Sequence, residues 1–71
     1  MDDGVYLKKV GKNIKKIRIS KGITQVDLAY MCDFEKANMN RIESGNNNPT
    51  IRTLLKIANA LEVDLLEFLK V

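Results

Sequence analysis

Lys36, Asn40 and Arg41 are the residues in this chain best equipped to contact a partner. They share a short stretch, residues 36–44, in which Met39 and Ile42 sit at helical spacing for burial. Lys36, Ala37, Asn40 and Arg41 then fall on the other faces. A long-armed polar face of this kind has no role in a core and is free to bind. Its chemistry is hydrogen-bond donation from lysine and arginine beside an amide that both donates and accepts. It is not catalytic chemistry. The chain has no histidine and one cysteine, and its carboxylates are scattered. No cysteine pair, glycine-rich phosphate loop or ligand set is present, so the reading is no enzyme, no cofactor and no metal site.

The binding helix needs elements to hold it. Thr24 is a helix N-cap, with Asp27 three residues later as a short capping-box partner and Ile23 stapling onto Leu28. That helix runs to about residue 32. Asp33 is a turn residue that tolerates positive φ. Residues 24–45 therefore read as two short helices joined tightly, the second ending at Gly45. Before them, Leu7, Val10, Ile14 and Ile17 recur at steps of three and four, one face of a helix over residues 5–21 that Gly22 ends. After them, residues 45–49 form a loop by composition and Thr50 caps a further helix. Its apolar stripe is Ile51, Leu54, Leu55, Ala58 and Leu61, with Ile57 flanking. Asp64, with Glu67 as capping-box partner, opens a last short helix. Leu65, Leu66, Phe68, Leu69 and Val71 are too many apolar residues for one face of it, a hint of a dimer interface.

Length and charge narrow the class. A chain of 71 residues is one domain with one modest core, about residues 5–70. No apolar run approaches the roughly 18 residues of a membrane span. The acidic first residues lack the order of a secretory signal, and one cysteine permits no internal disulfide, so the expected compartment is the cytoplasm. The net charge is +3, and Lys8, Lys9, Lys12, Lys15, Lys16, Arg18 and Lys21 all precede the next acid after Asp3. That run suits a polyanionic partner.

Five segments, IKKIR (14–18), GITQVDLA (22–29), RIESG (41–45), NPTIRTLLKIANAL (48–61) and VDLLEFL (63–69), resemble in order and spacing the phage-repressor and Cro-type helix-turn-helix domains, the XRE family. The resemblance implies an all-α, lambda-repressor-like bundle of five helices. Residues 24–32 become the positioning helix and residues 36–44 the recognition helix. Lys36, Ala37 and Arg41 fall where family members touch base edges, with Asn40 on the same face. Gln25 matches a glutamine that contacts a phosphate and braces the recognition helix. Asn46 and Arg52 fall where the DNA backbone is gripped. Arg18 and Glu43 match a structural salt bridge between the first and third helices. Glu35 stands where Ser or Thr usually caps the recognition helix, close to the DNA, and Asp33 and Glu62 replace common turn glycines.

The implied function is a sequence-specific regulator of transcription. It would bind double-stranded DNA as a homodimer, as a repressor on a palindromic operator. The alternative is an antitoxin or docking module for a partner protein. On the chemistry of the groove, Arg41 and Lys36 suit guanine O6 and N7, and Asn40 suits adenine.

Overall fold

The computed structural model describes residues 2–70. Four α-helices are present among the described residues: α1 Asp3–Ser20, α2 Gln25–Met31, α3 Lys36–Ser44 and α4 Ile51–Leu61. The expected fifth helix is instead one turn of 3-10 helix, Leu65–Glu67. Asp64 accepts from the Leu66 N–H and so closes a tight turn, and Glu67 pairs with Lys70 at 2.8 Å. The chain after the turn is tied elsewhere: the Asn13 side-chain amide donates to the carbonyls of Phe68 and Lys70, at 3.0 and 2.9 Å. Phe68 is thereby fully buried.

The helix starts follow from side-chain oxygens. Thr24 accepts from the Asp27 N–H and Thr50 from the Thr53 N–H, each at 3.1 Å. α1 begins earlier than its apolar stripe suggests, because Asp2 caps it by accepting from the Val5 N–H at 3.0 Å. The helix ends share one device. Gly22, Asp33, Gly45 and Glu62 all have positive φ, between 57° and 79°. The next residue in each case, Ile23, Phe34, Asn46 or Val63, donates its N–H back across the last turn. Three of these four are apolar and pack against the core, so each helix end also directs the next segment inward. Asp33 and Glu62 hold a conformation that glycine adopts at lower cost.

A single cluster forms the core: Ile14 from α1, Leu28 and Ala29 from α2, Cys32, Met39 and Ile42 from α3, Leu54, Ile57, Ala58 and Leu61 from α4, and Phe68. The stripe expected on α4 is rotated. Ile57 is fully buried, whereas Ile51 and Leu55 are 57% and 44% exposed. The buried set Leu54, Ile57, Ala58 and Leu61 is itself at helical spacing, so periodicity alone could not choose between two overlapping stripes.

α1 crosses the end of α3 with backbone against backbone. A Cβ on Gly11 would lie 2.5 Å from the carbonyl oxygens of both Ile42 and Glu43. A Cβ on Gly45 would lie 2.7 Å from Lys8 Cα. Only glycine permits this approach at either position, and at Gly45 it also supplies the left-handed turn.

Candidate nucleic-acid interface

α3 presents two unlike faces. Met39, Ile42 and Glu43 are buried; Lys36, Ala37, Asn40, Arg41 and Ser44 are exposed. One helical face therefore carries the predicted base-contacting residues outward together. Glu35 occupies the N-cap position of α3 without a side-chain capping bond and is exposed. Its carboxylate sits beside the positive end of the helix, where the charge is favourable even without the bond.

The buried face of α3 is fastened by an ion pair. Arg18 donates through Nε to Glu43 Oε2 at 2.8 Å and through Nη2 to Oε1 at 3.1 Å. Its Nη1 donates to the Ile23 carbonyl at 2.9 Å, so one guanidinium joins α1, the approach to α2, and α3. Both residues are 7% exposed. The fork geometry uses both carboxylate oxygens, the arrangement in which a buried pair is best compensated.

Gln25, the first residue of α2, extends this pair toward the surface. Its Nε2 donates to Glu43 Oε1 at 3.2 Å, and its Oε1 accepts from Asn40 Nδ2 at 3.4 Å. The resemblance implies that Gln25 braces the recognition helix without naming a partner there; in the structure Glu43 and Asn40 are the partners. Asn46 follows the left-handed Gly45, with its N–H on the Arg41 carbonyl at 2.9 Å and its side chain on Ser44 Oγ at 3.2 Å. Arg52 is exposed in the first turn of α4. Asn46 and Arg52 thus stand on either side of the loop that follows α3.

Two further features near α3 escaped the sequence reading. The close crossing at Gly11 sets how α3 sits, and an isolated glycine inside a strong helical pattern was the available signal. Asn47 steadies the loop after α3 by donating to Asn38 Oδ1 at 3.0 Å; an asparagine-rich run has loop composition, with nothing to single out one member.

Of the remaining titratable groups, Cys32 is buried and burial pushes its thiol pKa up, opposed in part by Lys56. A thiol held protonated and out of solvent is packing material, not a nucleophile. No group of three or more possible metal-ligating side chains occurs among the described residues, and no helix among them is long and apolar enough to cross a membrane.

The profile of the HTH_3 family, helix-turn-helix, matches residues 14–68. The chain belongs to the helix-turn-helix family. Its relatives agree with that placement. The "Uncharacterized HTH-type transcriptional regulator y4dJ" of Sinorhizobium fredii is 37% identical over 60 residues, covering 84% of this chain and 78% of that protein. Control protein C.BamHI of Bacillus amyloliquefaciens is 37% identical over 62 residues, covering 82% and 76%. Among solved structures, the wild-type restriction-modification controller protein C.Esp1396I superposes with a TM-score of 0.80 at 43% identity, covering 89% of this chain and 82% of that one. The helix-turn-helix itself is α2, the turn at Asp33 and α3, the unit around which the site residues gather.

Proposed function

We propose that this domain is a sequence-specific repressor that lays α3 in the major groove of duplex DNA. DNA-binding transcriptional regulation is the level at which the family and its named relatives agree. The observation that carries the finer reading is the outward face of α3, where Lys36, Ala37, Asn40 and Arg41 are exposed side by side on a helix whose other face is fixed by the core. Lys36 and Arg41 supply donors for guanine O6 and N7, and Glu35 can accept from a cytosine amino group. Gln25, Asn46 and Arg52 hold the sugar–phosphate backbone and set the register without reading sequence.

The functional unit in this reading is a homodimer. Ile51 and Leu55 on α4 and Leu66 and Leu69 near the 3-10 turn are large apolar residues left exposed by the fold. Pairing two copies through this surface would present two α3 helices to half-sites about 34 Å apart, on a palindromic operator. The same residues would also serve a partner protein, the antitoxin-like alternative. The expected setting is the cytoplasm, where a bacterial-type operator is reached.

Selection from a randomised duplex pool at near-physiological salt tests the reading. An enriched inverted repeat is the expected result, with sedimentation showing a dimer that Leu55→Glu dissociates. Weak, salt-sensitive binding with no enriched sequence would overturn it.

A further inference from the structure

The chain of hydrogen bonds from Arg18 to Asn40 fixes a polarity as well as a position. Arg18 engages both oxygens of Glu43, and an ionised carboxylate offers only acceptors. The Gln25 amide must therefore turn its nitrogen toward Glu43, as it does at 3.2 Å. Its oxygen is then left facing Asn40, whose amide must turn its nitrogen inward, as it does at 3.4 Å. Each amide has one orientation that satisfies its inner neighbour. The last member, Asn40, is exposed on the outward face of α3. It presents Oδ1 and one remaining N–H away from Gln25.

We propose that Asn40 reads a major-groove amino group, N6 of adenine first and N4 of cytosine second. Gln25 and Glu43 act as positioning residues that set the amide's direction. The inference rests on the major-groove reading above and specifies the base class at one position of it. Guanine and thymine offer only acceptors on that edge, so they could use the outward N–H alone and would leave Oδ1 unpaired against a lone pair. Adenine fits best because the outward N–H also meets N7. A free asparagine could turn its amide over to suit a different base. This one would lose its bond to Gln25 and set two oxygens against each other.

The test begins with selected sites for the wild-type chain, Asn40→Ala and Gln25→Met. Asn40 is a surface residue, so its alanine variant keeps the fold, and melting curves check both variants. The base pair whose preference disappears in Asn40→Ala is the one Asn40 faces. Duplexes are then made with the amino group at that pair deleted, using purine in place of adenine or the 4-deamino analogue of cytosine, one strand at a time. Deletion on the facing strand is expected to weaken wild-type binding about tenfold, within the range of a direct base contact. The same deletion should cost Asn40→Ala and Gln25→Met about twofold or less. If Gln25 served only the phosphate backbone, Gln25→Met would weaken every sequence alike and keep the full penalty for the deletion, which would overturn the relay. Indifference of the wild-type chain to amino-group deletion on both strands would overturn the base assignment while leaving an enriched operator, and the major-groove reading, standing. A pool with no enriched sequence would remove that reading and this inference together.

Discussion

Replacing Gly11 by alanine probes the seat of α3 with one added methyl group. In an open helix this change helps, by about 1 kcal/mol, because alanine has the higher helix propensity. At Gly11 the new Cβ would lie 2.5 Å from two carbonyl oxygens, those of Ile42 and Glu43. A carbon settles against a carbonyl oxygen at about 3.4 Å, so α1 must withdraw by roughly 0.9 Å. The obstacles are main-chain atoms on a helix held by the core, so no side chain can swing aside. Overpacking of this kind costs about 1–3 kcal/mol, here toward the upper end, which leaves a net loss of about 1–2 kcal/mol. For a domain of this size that lowers the melting temperature by about 5–15 °C. Gly4→Ala, in the first turn of the same helix, is the control. Its nearest neighbour is Asp2 Oδ1 at an ordinary 3.4 Å, so it should melt at or slightly above the wild type. Thermal unfolding followed by far-ultraviolet circular dichroism reads both. A Gly11→Ala variant as stable as Gly4→Ala would refute the argument from close approach.

Arg18→Met should cost about 3–5 kcal/mol in urea unfolding, because it strands the buried Glu43 carboxylate, and adding Glu43→Leu should recover most of the loss; an unchanged midpoint for the single variant would remove the pairing. Lys36→Ala and Arg41→Ala should relax sequence preference by about 1–3 kcal/mol at their positions, whereas Arg52→Ala should weaken binding to all sequences and reduce the salt slope by about one. Equal losses on operator and random DNA for all three would contradict that division. Glu62→Gly should stabilise the fold by about 0.5–1 kcal/mol by relieving a left-handed glutamate, with Asp33→Gly closer to neutral since aspartate tolerates that conformation better; a loss of stability in Glu62→Gly would count against strain there. Cys32 should label slowly with a thiol reagent at mildly alkaline pH and rapidly in urea. Because its folded pKa is raised, its stabilising contribution is complete below the ordinary thiol range and lost as pH rises through the folded value. Equal labelling rates would mean the thiol is accessible.

The sequence was most legible where local chemistry decides structure. Thr24 and Thr50 start their helices as read, Gly22 and Gly45 end theirs, and Asp33 makes the turn between α2 and α3. The face of α3 was also legible, since Met39 and Ile42 leave only one direction for Lys36, Asn40 and Arg41. What could not be read depends on partners distant in the chain. The choice between Leu55 and Ile57 as the inner residue of α4 is made by how that helix is seated on the rest of the core. The last segment carries helix signals at Asp64 and Glu67, but the chain after the 3-10 turn is tied to a distant residue of α1, Asn13, whose amide donates to the carbonyls of Phe68 and Lys70. The link from Gln25 to Asn40 joins two separate helices, α2 and α3, and the Arg18–Glu43 pair that it extends is anchored in α1. No spacing within either helix encodes it.

The seat of α3 also bears on how readily such a domain can be retargeted. α3 is anchored by backbone at Gly11 and Gly45 and by side chains on its inner face, so Lys36, Ala37 and Arg41 carry little of the fold's stability. On the proposed reading, new residues at those three positions would change the DNA that is read while the domain goes on folding as before. Asn40 is the exception, because any replacement there must still answer to Gln25. On that reading retargeting would be modular at three positions, while the fourth would be exchanged together with its partner on α2.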